Sequence, residues 1–323
     1  MSGPPNLGFH DLKPTLECFQ AAVLDGLAQK PKRLPSKFFY DRHGSALFDA
    51  ITAQPEYYPT RTEIGLLRRH GGEMAELLGA DLLLIELGSG SDVKIRVLLD
   101  ALQPKVYMPV DISYEYLLQT ATAIARDYPA LSVQAVCADY TQPLALPEVL
   151  SEIGGVRRAV FFPGSSIGNY EPDQAVALLR RIAVLLGRGG RLLIGVDLKK
   201  APALLHAAYN DSLGVTDAFN RNLLVRVNRE LGGDFDPGTF EHCAFYDRAL
   251  GRIEMHLVAR VAQRVQINGH SFDFAPGESI HTENSYKYSV AEFQALAVAG
   301  GYTGERVWQD DAALFSVHCL RVA

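Results

Sequence analysis

Apolar positions along the chain fall into two rhythms, one of three to four residues and one of continuous short runs. From Thr62 to about Leu78 hydrophobic residues recur at helical spacing. Leu82-Leu83-Leu84-Ile85-Glu86 is an unbroken apolar run closed by an acid, the pattern of a strand buried on both faces. The two rhythms then alternate. A helix is predicted over Lys94–Leu102, a strand over Val106–Val110 ending at Asp111, and a helix over Tyr114–Tyr128 stopped by Pro129. Strands follow over Ser132–Cys137, ending at Asp139, and over Ala159–Phe162. Pro172 suits the first turn of a helix that runs to Leu186, and Arg191–Val196 forms a further strand ending at Asp197. This alternation predicts an α/β fold with a parallel, doubly wound sheet. Ligands of such sheets bind beyond the carboxyl ends of the strands. Glu86, Asp111, Asp139 and Asp197 all stand at or near those ends.

Beyond Asp197 the pattern changes. Lys199–Asn228 reads as helical throughout, Arg252–Gln266 alternates polar and apolar residues as a strand does, and Phe272–Glu278 carries turn signals. His281–Tyr288 is a polar, aromatic stretch, Val290–Ala299 returns to helix, and Ala313–Val322 reads as a last strand. Before the core lie an amphipathic stretch, Leu16–Leu27, and a segment dense in aromatics. Prolines on both sides of Tyr57-Tyr58 predict a rigid, non-helical loop there. We therefore expect two parts: a Rossmann-type core from residues 63–197 and 287–323, and a second lobe from 1–62 and 198–286.

Composition narrows the function classes. The 323 residues include 37 acidic and 31 basic ones, a net charge of −6, and no basic-aromatic run, which argues against a nucleic-acid reader. No apolar run approaches a membrane span, and residues 1–14 lack a secretory pattern, so a cytoplasmic monomer is expected. The four cysteines stand apart, without C-x-x-C or H-E-x-x-H spacing, and no metal site is expected.

The strongest local signal is Glu86-Leu87-Gly88-Ser89-Gly90-Ser91, between a strand and a helix. Glycines there let a ligand approach the backbone closely. A dinucleotide fingerprint would need a third glycine where Val93 stands, and Asp92 at the helix start is unwelcoming to a pyrophosphate. S-adenosylmethionine (SAM) carries no phosphate. It needs a tight glycine turn, a carboxylate for its ribose hydroxyls, and a polar group for its adenine amine. Gly88, Asp111 and Asp139 offer these in chain order, with Tyr140 to flank the adenine. Lys94 reads either as a partner for the cofactor carboxylate or as an ordinary solvated helix lysine. Gly164-Ser165-Ser166-Ile167-Gly168 matches the G-x-S-x-G of serine hydrolases, with Ser166 as nucleophile. Pro172 places the next helix too late for the sharp elbow that motif requires.

At Phe39-Tyr40-Asp41, at Pro55-Glu56-Tyr57-Tyr58-Pro59-Thr60-Arg61-Thr62-Glu63, and again at Glu86–Gly90, Gly164–Asn169 and Thr282-Glu283-Asn284-Ser285-Tyr286-Lys287, the chain closely resembles the histidine-specific N-alpha-methyltransferases of ergothioneine biosynthesis. The resemblance runs in order over nearly the whole chain. It implies a class I methyltransferase core that binds SAM through Gly88, Lys94, Asp111, Asp139 and Tyr140. It also implies a histidine site at Tyr57, Asn169, Tyr209, Glu283 and Ser285, with Met255 lining the side-chain pocket. Asn169 and Tyr209 suit a carboxylate, and Glu283 with Ser285 suits two imidazole nitrogens. Tyr57 is the expected catalytic residue: it holds the amine, relays its proton, and steadies the growing methylammonium by a cation–π attraction of about 0.5–2 kcal/mol. The implied reaction is methylation of the α-amine of L-histidine up to the trimethylated betaine, hercynine. The alternative is an N-methyltransferase for another amino acid or biogenic amine, for which a carboxylate at Glu283 would be superfluous.

Overall fold

The apolar runs become the middle of one large sheet in the computed structural model, which describes residues 4–12, 16–90, 92–144 and 156–323. The chain divides into two compact units. The first comprises Met1–Pro14, Pro59–Lys199 and Lys287–Ala323, and the second Thr15–Tyr58 and Lys200–Tyr286.

The first unit holds an eight-stranded sheet. In chain order its strands are β1 (Leu7–Asp11), β3 (Leu82–Leu87), β4 (Val106–Asp111), β5 (Ser132–Cys137), β6 (Arg157–Phe162), β7 (Arg191–Asp197), β13 (Tyr302–Gln309) and β14 (Phe315–Val322). Their spatial order is β1-β5-β4-β3-β6-β7-β14-β13. The first six run parallel, while β14 is antiparallel to both of its neighbours. Every residue of β3 is buried, as a strand covered on both faces requires. Helices α3 (Tyr58–Leu78), α4 (Val93–Leu102), α5 (Tyr114–Asp127), α6 (Pro172–Leu186) and α9 (Val290–Ala299) connect or flank these strands. Strand order reverses at β3, whose neighbours β4 and β6 lead in opposite directions, and this is where such sheets place ligands.

The second unit is built on a four-stranded sheet, β2 (Lys32–Arg33), β12 (Ser279–Tyr286), β9 (Arg252–Ala259) and β8 (Phe240–Asp247), in the order β2-β12-β9-β8. A hairpin of β10 (Gln263–Ile267) and β11 (His270–Phe274) and helices α1 (Leu16–Ala28), α2 (Arg42–Thr52), α7 (Pro202–Tyr209) and α8 (Val215–Leu231) complete it. Among the described residues no helix is long and apolar enough to cross a membrane.

Several expectations need correction. Leu7–Asp11, expected in the second lobe, is an edge strand of the large sheet, in register from Leu7↔Val133 to Asp11↔Cys137. Asn6 secures it by donating to the carbonyls of Ala125, Tyr128 and Leu131. The helix expected over Lys199–Asn228 is broken at 210–214. There the Asp211 carboxylate accepts from the backbone N–H groups of Val215 and Thr216 at 2.8 and 2.7 Å, and so caps α8. Tyr58-Pro59-Thr60 opens α3 instead of extending a loop, because proline is tolerated in a first turn. Arg252–Gln266 is two strands, and His281–Tyr286 lies within a third.

Candidate active site

At the end of β3 the chain turns through Gly88 at φ +73°, a conformation costly for any residue with a Cβ. The Gly88 N–H donates to the Val110 carbonyl at 2.9 Å, tying the tip of β3 to that of β4. A Cβ on Gly88 would stand 3.8 Å from Tyr140 Cε1, so the Tyr140 ring lies along the turn. That ring meets Phe162 edge-on, with centroids 5.7 Å apart, and hydrogen-bonds Tyr170. Asp111 closes β4 and accepts from the Ser113 N–H at 2.8 Å, while burial pushes its pKa up to about 6. Asp139, beyond β5, accepts from the N–H and hydroxyl of Thr141. A glycine turn, a flat aromatic face and two strand-end carboxylates are the groups SAM requires, and they fit it. Ser91 lies outside the described residues.

The strand-end acids do different work. Asp197 is not open to a ligand: it pairs with Lys287 at 2.7 Å, both side chains 1% exposed. Glu86, equally hidden, accepts a 2.5 Å hydrogen bond from the Tyr107 hydroxyl, and burial pushes its pKa up to about 8. Lys94 is held by Glu63 at 2.8 Å. Glu63 is fully buried, also accepts from the Gly164 N–H at 3.0 Å, and fits because Gly195 has no Cβ: one there would stand 2.1 Å from its Oε1. Sequence reasoning gave Glu63 no such role. Its signals were an acid three residues before Leu66 on the apolar face of α3, and a glycine in the middle of a buried strand.

The G-x-S-x-G run does not build a nucleophile. Ser166 donates to the Pro163 carbonyl at 2.9 Å, and Ser165, at φ 59°, accepts the Asp197 N–H. Asn169 closes the 3₁₀ turn Ser166–Asn169 in the same unit.

In the second unit one irregularity places the expected substrate residues. Strands β9 and β12 pair His281↔His256 but then Glu283↔Met255, with Thr282 as an extra residue. Side chains directly opposite in an antiparallel pair share a face, and a bulge shifts the alternation by one. Glu283 and Ser285 are thereby turned onto the face of Met255 and Ile253, away from that of His281, while Asn284 and Tyr286 stay opposite Glu254 and Arg252. Met255 is 1% exposed and Ser285 4%. The Tyr209 hydroxyl, at the end of α7, donates to Ser285 Oγ at 2.7 Å.

A buried polar chain supports this group, and sequence reasoning missed it. Thr282 donates to Asn220 Oδ1 at 2.7 Å, Asn220 Nδ2 donates to His242 Nδ1 at 2.9 Å, and His242 Nε2 donates to the Tyr209 carbonyl at 2.9 Å. Burial holds His242 below the usual imidazole pKa, which keeps it in the neutral form this chain needs. Tyr57 belongs to the same unit, nearly buried, with its ring edge-on to Phe48.

The chain is similar to known proteins along most of its length. The family model described as histidine-specific, SAM-dependent methyltransferase matches residues 19–322. A histidine N-alpha-methyltransferase of Mycolicibacterium smegmatis is 42% identical over 93% of this chain and 94% of its own length. One from Mycobacterium tuberculosis is 43% identical over 91% and 92%. A 4-dimethylallyltryptophan N-methyltransferase of Claviceps purpurea is 25% identical over 93% and 94%.

Proposed function

The chain belongs to the histidine-specific, SAM-dependent methyltransferases, and on that premise we propose that it methylates the α-amine of L-histidine up to the trimethylated betaine, as in ergothioneine biosynthesis. The observation that carries the choice of histidine is the Thr282 bulge, which turns a carboxylate and a hydroxyl onto one buried face beside Met255. An imidazole has one N–H to donate and one nitrogen to accept. Glu283 takes the first and Ser285, its hydroxyl oriented by Tyr209, serves the second. A site that leaves such groups unpaired with the wrong ligand discriminates strongly against it.

Labour divides between the units. In the first, Gly88, Asp111, Asp139 and Tyr140 hold the cofactor, Lys94 steered by Glu63 faces its carboxylate, and Asn169 binds that of the amino acid. SAM supplies an electrophilic methyl on a sulfonium. In the second unit Tyr209, Met255, Glu283 and Ser285 recognise the amino acid, and Tyr57 handles its amine. The amine, with a pKa of roughly 8, arrives mostly protonated and must shed a proton before it can attack. Tyr57 accepts hydrogen bonds from it, relays that proton and orients the lone pair. Alignment of this kind is worth at most about 7–11 kcal/mol.

Mass spectrometry of the products from a panel of amino acids incubated with SAM tests the proposal. Mono-, di- and trimethylated histidine should appear. Methylation of tryptophan or tyrosine in preference to histidine would refute it.

A further inference from the structure

The face of the second unit's sheet that points away from Met255 carries chemistry the methyl transfer does not use. Alternation along β9 places Arg252, Glu254 and His256 there, and register adds His281 from β12 and Cys243 from β8, each directly opposite His256. One donor atom each from Glu254, His256 and His281 lies within 4.8 Å of the others. We propose that Glu254, His256 and His281 form a binding site for a divalent transition-metal ion.

The argument rests on how each donor is held. Metal-ligating side chains are commonly oriented by a second partner on their remote atom. His256 Nδ1 is bonded to Ser279 Oγ at 3.2 Å, which leaves Nε2 toward the cluster. His281 Nε2 is bonded to the Glu283 carbonyl at 3.0 Å, which leaves Nδ1. Arg252 grips Glu254 Oε1 at 2.8 and 2.6 Å, and Oε2 stands 2.9 Å from His256 Nε2. The two imidazole rings stack, with centroids 4.7 Å apart.

The composition of the cluster selects the ion. Two nitrogens and one carboxylate oxygen suit Zn²⁺, Ni²⁺ or Cu²⁺, with positions left for water. The half-buried Cys243 thiol, across from His256, adds a soft donor to the same face. Arg252 and Arg33 put positive charge nearby, which disfavours hard ions that bind by charge alone. No local motif betrays the site, because its ligands come from two strands and Glu254 and His256 are separated only by the residue that faces the other way.

Calorimetric titration with Zn²⁺ tests the proposal, without free histidine because that amino acid chelates the ion. One equivalent should bind, Mg²⁺ should not, and His256→Asn or His281→Asn should weaken Zn²⁺ binding at least tenfold while SAM binding persists. A measurement on the unaltered protein guards against misfolding: long-range ¹H–¹⁵N spectra of the imidazoles should show Zn²⁺ shifting the ring nitrogens of His256 and His281 first. Absence of stoichiometric binding, Zn²⁺ affinity indifferent to both variants, or shifts confined to other histidines would overturn it.

Discussion

Replacing Glu86 with glutamine should stabilise the protein by an amount set by pH. The Glu86 side chain is 2% exposed, and burial lifts its pKa from 4.5 to about 8. An acid whose folded pKa exceeds its unfolded one keeps its proton in the native state and releases it on unfolding. Stability is therefore unaffected below about pH 4.5, falls as pH rises toward about 8, and then levels. The slope is about 1.4 kcal/mol per pH unit, so at pH 7 the ionisable group costs about 3 kcal/mol relative to one that is always neutral. Glutamine has nearly the same shape, keeps an oxygen to accept from Tyr107 and never ionises. Asp111, pushed up to about 6, acts with the same sign but is present in both proteins and cancels in the comparison. Urea unfolding of Glu86→Gln and the unaltered protein from about pH 4.5 to 8 should give equal stabilities at the acid end. The gap should widen to about 3 kcal/mol at pH 7. A gap that does not change with pH, or a variant that is the weaker at pH 7, would refute the reasoning.

Other perturbations probe the remaining features. Lys287→Met leaves the Asp197 charge buried and unpaired, and thermal unfolding should register a loss of about 3–5 kcal/mol, part of it recovered when Asp197→Asn is added. Tyr209→Phe removes the donor to Ser285 Oγ, so KM for histidine should rise roughly tenfold while SAM affinity holds; an unchanged KM would count against the imidazole reading. Tyr57→Phe should lower kcat more than cofactor affinity, and equal losses would contradict its assigned role. Gly195→Ala drives a methyl into Glu63 Oε1, so Lys94 loses its anchor and equilibrium dialysis should show SAM binding at least tenfold weaker.

The parallel core was legible because its central strands carry short continuous apolar runs, such as Leu82–Ile85 and Ala159–Phe162, as burial on both faces demands. The strand-end acids followed from the same runs. What escaped was whatever depends on a partner distant in sequence. Strand β1 has only five residues, including Gly8 and His10, and exists because β5 offers it an open edge. Strand β8 is half exposed, so its alternation is diluted. The break at 210–214 did carry a local signal, the turn formers Asn210, Asp211, Ser212 and Gly214, with Gly214 at φ 70° and Asp211 reaching forward onto α8. In the site, the glycine turn and its acids were readable one by one. That Asp197 is consumed by Lys287, that Glu63 carries Lys94, and that Asn220 and His242 brace Tyr209 are pairings across 22 to 90 positions of chain that no spacing rule encodes.

The single inserted residue in β12 makes recognition a question of parity. Drawing Thr282 into regular pairing with Met255 would not remove Glu283 or Ser285, yet it would slip the rest of the strand by one and present Asn284 and Tyr286 to the Met255 face in their stead. The row of side chains offered to a ligand can therefore be altered in two ways: one residue at a time, or all together by flattening the bulge.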